Sequence, residues 1–284
     1  MARSPMVAAG LYIDAALRHR GCPLCYLGVV DVLRYLWYLL YEAVTSPTTH
    51  DKLERSWGFC NLHAWLVQEM NWRLDQDGMS TANLCEWQIA RFREVLQKHL
   101  DRHRQHPPMR RRFGRRAPKP WLAQAILAEL TPAAECPACV VRRESERAAI
   151  GALVEFLRDR QDIRAQYQQS FGLCLSHFKA FLEEAAAEED VLAFIIGVQI
   201  DKLTASSSEL GEYLRKHDYR FSHEAYGEEH DAFIRATEML AGAKPGAALL
   251  SQTLPQPSIP SPQVTEDADG VRRSGPGEPL ESAP

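Results

Sequence analysis

Two stretches decide the fold: residues 20–30, RGCPLCYLGVV, and residues 56–63, SWGFCNLH. Both return 114 positions later, as residues 134–144, AECPACVVRRE, and 170–177, SFGLCLSH. Every chemically distinctive position moves by the same step: Cys22 to Cys136, Pro23 to Pro137, Cys25 to Cys139, Ser56 to Ser170, Gly58 to Gly172, Cys60 to Cys174 and His63 to His177. In both copies 34 residues separate the second cysteine from the third. Further along, Leu100 and His103 match Leu214 and His217 at that shift. Cysteine and histidine are too rare for such a register to arise by accident, and a fixed period marks an internal duplication.

Between the motifs the periodicity is helical. Val29, Leu33, Leu36, Leu40 and Val44 keep three- and four-residue spacing, as do Ile150, Leu153, Val154 and Leu157 in the second copy. Cys85, Ile89, Phe92, Leu96 and Leu100 draw another stripe, answered by Leu192, Ile195, Ile196 and Leu203. No alternating run predicts a strand. The expected fold is all-α: two tandem repeats of about four helices each, residues 1–101 and 120–243, tied by metal sites. Residues 102–119 between them hold eight Lys/Arg, three prolines and no acid, the composition of a linker. Residues 244–284 hold eight of the seventeen prolines and show no periodicity, which predicts a disordered tail.

The Cys/His pattern carries the chemistry. Proline is favoured at the first helical position, which puts Cys22 and Cys136 at helix caps and Cys25 and Cys139 one turn inside. Residues three apart share a helix face, so each pair can aim both donors at one atom; the same holds for Cys60 with His63 and Cys174 with His177. Helix starts favour thiolate, the form that binds metal. The expectation is one Cys3His site within each repeat, Cys22, Cys25, Cys60 and His63 in the first and Cys136, Cys139, Cys174 and His177 in the second. Zn2+ suits three thiolates and an imidazole, and four protein ligands leave no position for a substrate water, so such sites are structural. An iron–sulfur cluster, a thiol-based redox or metal sensor on the same cysteines, and disulfides are the alternatives, the last weakest in a reducing compartment.

These residues resemble a bacterial family catalogued as a domain of unknown function, whose members pair CPxC with GxCxxH, often twice. The closing stretch KHDYRFSHEAYGEEHDAFIRATEMLAG, Lys216–Gly242, is similar to how those proteins end. The resemblance spans about residues 10 to 242. It implies the helical, metal-binding reading through the same eight residues, and it implies no reaction.

The remaining features are weaker. Cys85 reads as a buried core cysteine, and His103 and His217 as caps at helix ends. His223, Glu224, Glu228, Glu229 and His230 read as a solvated face, because Gly227 stands where HExxH needs its second histidine. Trp37, Trp57, Trp65, Trp72 and Trp87 crowd the first copy and predict a larger aromatic core there, with a ligand groove as the alternative. Arg110, Arg111, Arg112, Arg115, Arg116 and Lys119 offer weak, salt-sensitive contact to nucleic acid. No phosphate loop, dinucleotide fingerprint or nucleophile elbow supports an enzyme.

Composition sets the outer bounds. The chain has 284 residues, 45% hydrophobic and 25% charged, with a net charge of −4. That excludes collagenous, wholly disordered and disulfide-scaffold classes. No uninterrupted apolar run approaches the ~20 residues of a membrane helix, and the N-terminus lacks the pattern of a signal peptide. The expectation is a cytoplasmic protein with reduced thiols, no membrane contact and a protein partner. The functional reading is a zinc-binding helical scaffold or interaction protein.

Overall fold

Proline at the first helical position sets where the two central helices begin. In the computed structural model, which describes residues 12–75, 77–105, 121–221 and 223–244, α2 (Pro23–Tyr38) and α7 (Pro137–Asp159) each start on the proline of a CPxC motif. Ahead of them, α1 (12–17) and α6 (Trp121–Leu130) lead into the motifs. After α2 a π-helical turn, Leu39–Ala43, prolongs the run, followed by α3 (Pro47–Ser56), α4 (Asn61–Asp75) and α5 (Met79–Gln105). After α7 come α8 (Gln161–Gln169), α9 (Leu175–Glu184) and α10 (Glu189–Lys216), then a 3-10 turn, Glu228–Asp231, and α11 (Ala232–Ala241). Among the described residues every regular element is helical.

The two copies thus repeat the order α2–α5 and α7–α10. One helix per copy escapes the periodicity. The short α3 and α8 bury few positions, Ile163 and Tyr167 in α8 and their counterparts Thr49 and Leu53, with Ser56, in α3. Two large buried residues one turn apart in α8, and a single leucine in α3, are too few to stand out as a stripe in sequence.

The central contact is α2 against α7, packed antiparallel. Gly28 admits Glu146 so closely that a Cβ there would lie 2.8 Å from its Cγ, and the Ser145 hydroxyl donates to Asp31 at 2.6 Å. Ser145 is the counterpart of Asp31 at the 114-residue shift. A contact between equivalents marks a pseudo-twofold axis there, so the two CPxC motifs lie at opposite ends of the helix pair. Their axial separation is about 20 Å at 1.5 Å per residue.

A core cluster forms around this pair and the second copy. Ile13, Leu24, Leu153, Leu157, Ile163, Tyr167, Phe181 and Ile195 are all fully buried in it, each contributing roughly 1.5–3 kcal/mol of burial free energy. The expected stripes of α2 and α7 lie in the interior: Val29, Leu33, Leu36 and Leu40, and Ile150, Leu153, Val154 and Leu157. The run Pro23–Ala43 has the length and mean hydropathy, 1.3, of a segment able to cross a membrane, although no uninterrupted apolar stretch announces it. Just over half of its apolar window, 56%, is buried inside the protein, as befits a core helix.

Other expectations are corrected. On α5 the inward face is Leu84, Val95 and His99, whereas Cys85, Ile89, Phe92, Leu96 and Leu100 are exposed. Cys85 is therefore a surface thiol. Two stripes one residue apart compete on that helix, and the more apolar one faces outward. The tryptophans build no enlarged core either: Trp37, Trp65 and Trp72 are exposed. In the acidic stretch Glu229 is buried and ion-paired to Lys216 rather than solvated. The basic residues Arg110 to Lys119 and the stretch 245–284 lie outside the described residues.

Candidate metal centres

Each centre is assembled from two helix starts. Cys22 and Cys136 are the cap residues of α2 and α7, with φ/ψ of −57/120° and −52/126° before the first helical turn. Cys174 caps α9, and Cys60 immediately precedes α4. A tight turn delivers both CxxH motifs. Gly58 and Gly172 sit at φ +92° and +85°, where a Cβ is strained. The preceding serines fix the same turn: Ser170 donates to the Tyr167 carbonyl at 2.7 Å and accepts from the Gly172 N–H at 3.2 Å, and Ser56 donates to the Gly58 carbonyl at 2.8 Å.

All eight expected residues gather into two sets of four, but the sets are exchanged between the copies. Cys22 and Cys25 meet Cys174 and His177, while Cys60 and His63 meet Cys136 and Cys139; in each set the four donor atoms lie within 4.8 Å of one another. The in-copy grouping is therefore corrected, and helix length explains why. From Pro23 to Ala43 the chain runs out about 30 Å, and the ten residues of α3 bring back at most about 15 Å. The 23 residues of α7 and nine of α8 leave a similar shortfall of about 20 Å. Each GxCxxH is thus stranded near the far end of its own long helix, where the antiparallel partner begins with its CPxC. The longer loops closed this way cost only about 1 kcal/mol more each in chain entropy. Geometry decides the pairing.

Distances within the sets fit one tetrahedral ion. Zinc at about 2.3 Å from sulfur and 2.0–2.1 Å from nitrogen requires S···S near 3.8 Å and S···N near 3.5 Å. In the first set Cys25 Sγ lies 3.8 Å from Cys174 Sγ, and His177 Nδ1 lies 3.5, 3.3 and 3.3 Å from Cys22, Cys25 and Cys174. In the second, Cys60 Sγ lies 3.7 Å from Cys139 Sγ, and His63 Nδ1 lies 3.2, 3.5 and 3.4 Å from Cys60, Cys136 and Cys139. No sulfur pair is bonded; all seven cysteines are free thiols.

Crowding and burial make the sulfurs resist one another's ionisation. Hydrogen bonds to Cys174 and Cys22, with burial, push Cys25 up, and burial with the charge of Cys136 pushes Cys139 up to about 12. Cys174, hydrogen-bonded by Cys22 and Cys25, is held down as the thiolate of the first set. His177 is raised to about 11: burial opposes its charge, and bonds to Cys174, Cys22 and Glu146 outweigh it. His63, by contrast, is lowered by burial and by Arg142. Full deprotonation of the three sulfurs in a set would need a compensating positive charge, which a bound divalent ion would supply.

Several participants left no trace in sequence. The carboxylate of Glu146 stands 3.5 Å from His177 Nε2 and is anchored by Arg142 at 2.7 Å; its counterpart in the first copy is Val32, so the repeat gives no hint of it. Ser176 Oγ lies 3.4 Å from Cys174 Sγ, and the Ala243 N–H donates to Cys25 Sγ at 3.4 Å. His103 and His217 join neither set: His103 lies against Trp121, and His217 caps α10 beside the Tyr213 carbonyl.

Fold and site together define an all-α protein with two Cys3His ligand sets, one buried and one partly open. The model of a family of unknown function, DUF6062, matches residues 12–247, and the chain belongs to that family. No curated protein and no solved structure matches it.

Proposed function

We propose that this protein is a zinc-binding helical scaffold in which two structural Cys3His centres staple one copy of the repeat to the other. The observation that carries the reading is the tetrahedral spacing of both sets. A single ion with three thiolates and one imidazole has every position filled by protein, which suits structure rather than catalysis. Polynuclear iron–sulfur clusters spread their cysteines over separate irons, whereas here four donors converge on one point. Structural zinc of this kind contributes ~10–16 kcal/mol in small domains, against ~5–15 kcal/mol of net stability for a typical domain. The exposed Trp37, Trp65 and Trp72 support the further reading that the scaffold presents an apolar surface to a protein partner.

The test is elemental analysis of the reduced, purified protein. Two equivalents of zinc per chain are expected, and their removal by a strong chelator should abolish cooperative unfolding. A folded protein free of metal would sink the proposal.

A further inference from the structure

The pseudo-twofold relates the two centres in position but not in protection. Cys22, Cys25 and Cys174 are 0–1% exposed. In the other set only Cys136 and His63 are buried, while Cys60 and Cys139 are partly open to solvent.

What covers the first set is α11, the last helix of the second copy. The helix runs back along α10, with Phe233 against Tyr213 and Met239 beside Gln199. Its end lays Gly242 and Ala243 over the sulfurs. A Cβ at Gly242 would lie 3.3 Å from Cys25 Sγ and 3.6 Å from Cys174 Sγ, so only a glycine at φ +86° packs there without displacing a ligand. The Ala243 N–H and Ser176 hydroxyl reach these same two sulfurs. Hydrogen bonding to a thiolate lowers its nucleophilicity and slows protonation, both of which retard loss of a bound ion.

In the second set the backbone N–H bonds fall on the buried Cys136, from Cys60, Cys139 and Ala138, while the bonds of the two partly open sulfurs, Cys60 and Cys139, are to fellow members of the set, each other, Cys136 and His63. The imidazoles differ as well. His177 is oriented by the Glu146 carboxylate, whose counterpart at the 114-residue shift is Val32, a side chain with no polar group to orient an imidazole. Removing such an outer partner typically costs 10–100-fold in metal affinity.

From these differences we infer that the centres divide the work: the Cys22/Cys25/Cys174/His177 centre is permanent, and the Cys60/His63/Cys136/Cys139 centre exchanges its zinc with external chelating ligands, freeing Cys60 and Cys139 for modification. The inference rests on the zinc-scaffold reading. In the exchange, a chelator takes zinc ligand by ligand, and each freed thiolate takes up a proton or attacks an electrophile. With a maleimide the sulfur forms a bond to one alkene carbon and the other carbon takes a proton. Meanwhile the first centre keeps α2 and α9 joined, so the fold survives the loss.

The experiment is stopped-flow release of zinc from the full-length, two-zinc protein into excess 4-(2-pyridylazo)resorcinol. N-ethylmaleimide is present, and alkylated cysteines are mapped by mass spectrometry. One equivalent should leave about 10–100-fold faster than the other, with Cys60, Cys136 and Cys139 labelled in the fast phase while Cys22, Cys25 and Cys174 stay protected. Cys85, exposed and outside both sets, labels at once and serves as internal reference. Glu146→Gln should accelerate the slow phase more than the fast one. Release of both equivalents in one phase, or labelling in the reverse order, would overturn the inference while leaving the scaffold standing. Absence of zinc at the outset would overturn both.

Discussion

Glu229, in an acidic run that reads as surface, is tucked against Lys216 at 2.6 Å and accepts the Gly227 N–H at 2.9 Å. The bond from Lys216 holds its carboxyl down to about 2, against 4.5 for a free glutamate. A depressed pKa stabilises the fold above the unfolded value, and the contribution fades as pH falls through the folded one. Glu229→Gln should therefore lower the urea midpoint at pH 7, and the gap to the parent protein should narrow as pH drops below 4.5. A gap that widens with acidity would refute this. Gly172 is a second sensitive residue. Alanine there takes a left-handed φ and puts its Cβ 3.1 Å from Gln199 Oε1, which accepts the Leu173 N–H. We expect a loss of about 1–2 kcal/mol in chemical denaturation; an unchanged midpoint would show that the turn is not strained. Such single residues are legible unevenly. Gly172 is marked by its motif, while Glu229 and Glu146 matter through Lys216 and His177, partners on other elements that no local pattern announces.

At the scale of elements, the ratio of helix lengths is the controlling quantity. The helix caps, the one-turn spacing of donors and the interior stripes of α2 and α7 are local consequences of sequence and could be read from it. The grouping of the ligands could not, because it depends on how far α3 and α8 return and on which helix packs against α2. The misread stripe on α5 has a related cause: periodicity reports an apolar face, not which neighbour meets it. The exchange makes a sharp prediction. The double variant Cys22→Ser/Cys174→Ser damages a single centre and should retain one equivalent of zinc, whereas Cys22→Ser/Cys60→Ser damages both and should retain none. In-copy centres would give the opposite stoichiometries, so one zinc assay on the two purified variants decides.

Across the whole molecule, the repeats are partners rather than neighbours on a string. Each copy carries half of both centres and one of the two antiparallel central helices. If residues 1–105 and 121–284 are produced as separate chains, neither alone should hold zinc as a monomer, and mixing them with zinc should yield a one-to-one complex with two equivalents. Size-exclusion chromatography with metal analysis reads the result; a monomeric half binding one zinc tightly would contradict the exchanged pairing. The charge distribution follows the same logic of opposites: residues 102–119 carry +8 and 244–284 carry −2, leaving −10 on the two copies.

The exchanged pairing also fixes an order of events during synthesis. The two cross-links are nested: Cys60 waits 79 residues for Cys139, and Cys25 waits 149 residues for Cys174. At 5–20 residues per second, the ribosome takes about 7–30 s to complete the outer ligand set after its first half has emerged. A nascent chain cut short before Cys174 can close the inner centre but never the outer one. Metal content would then distinguish finished chains from interrupted ones.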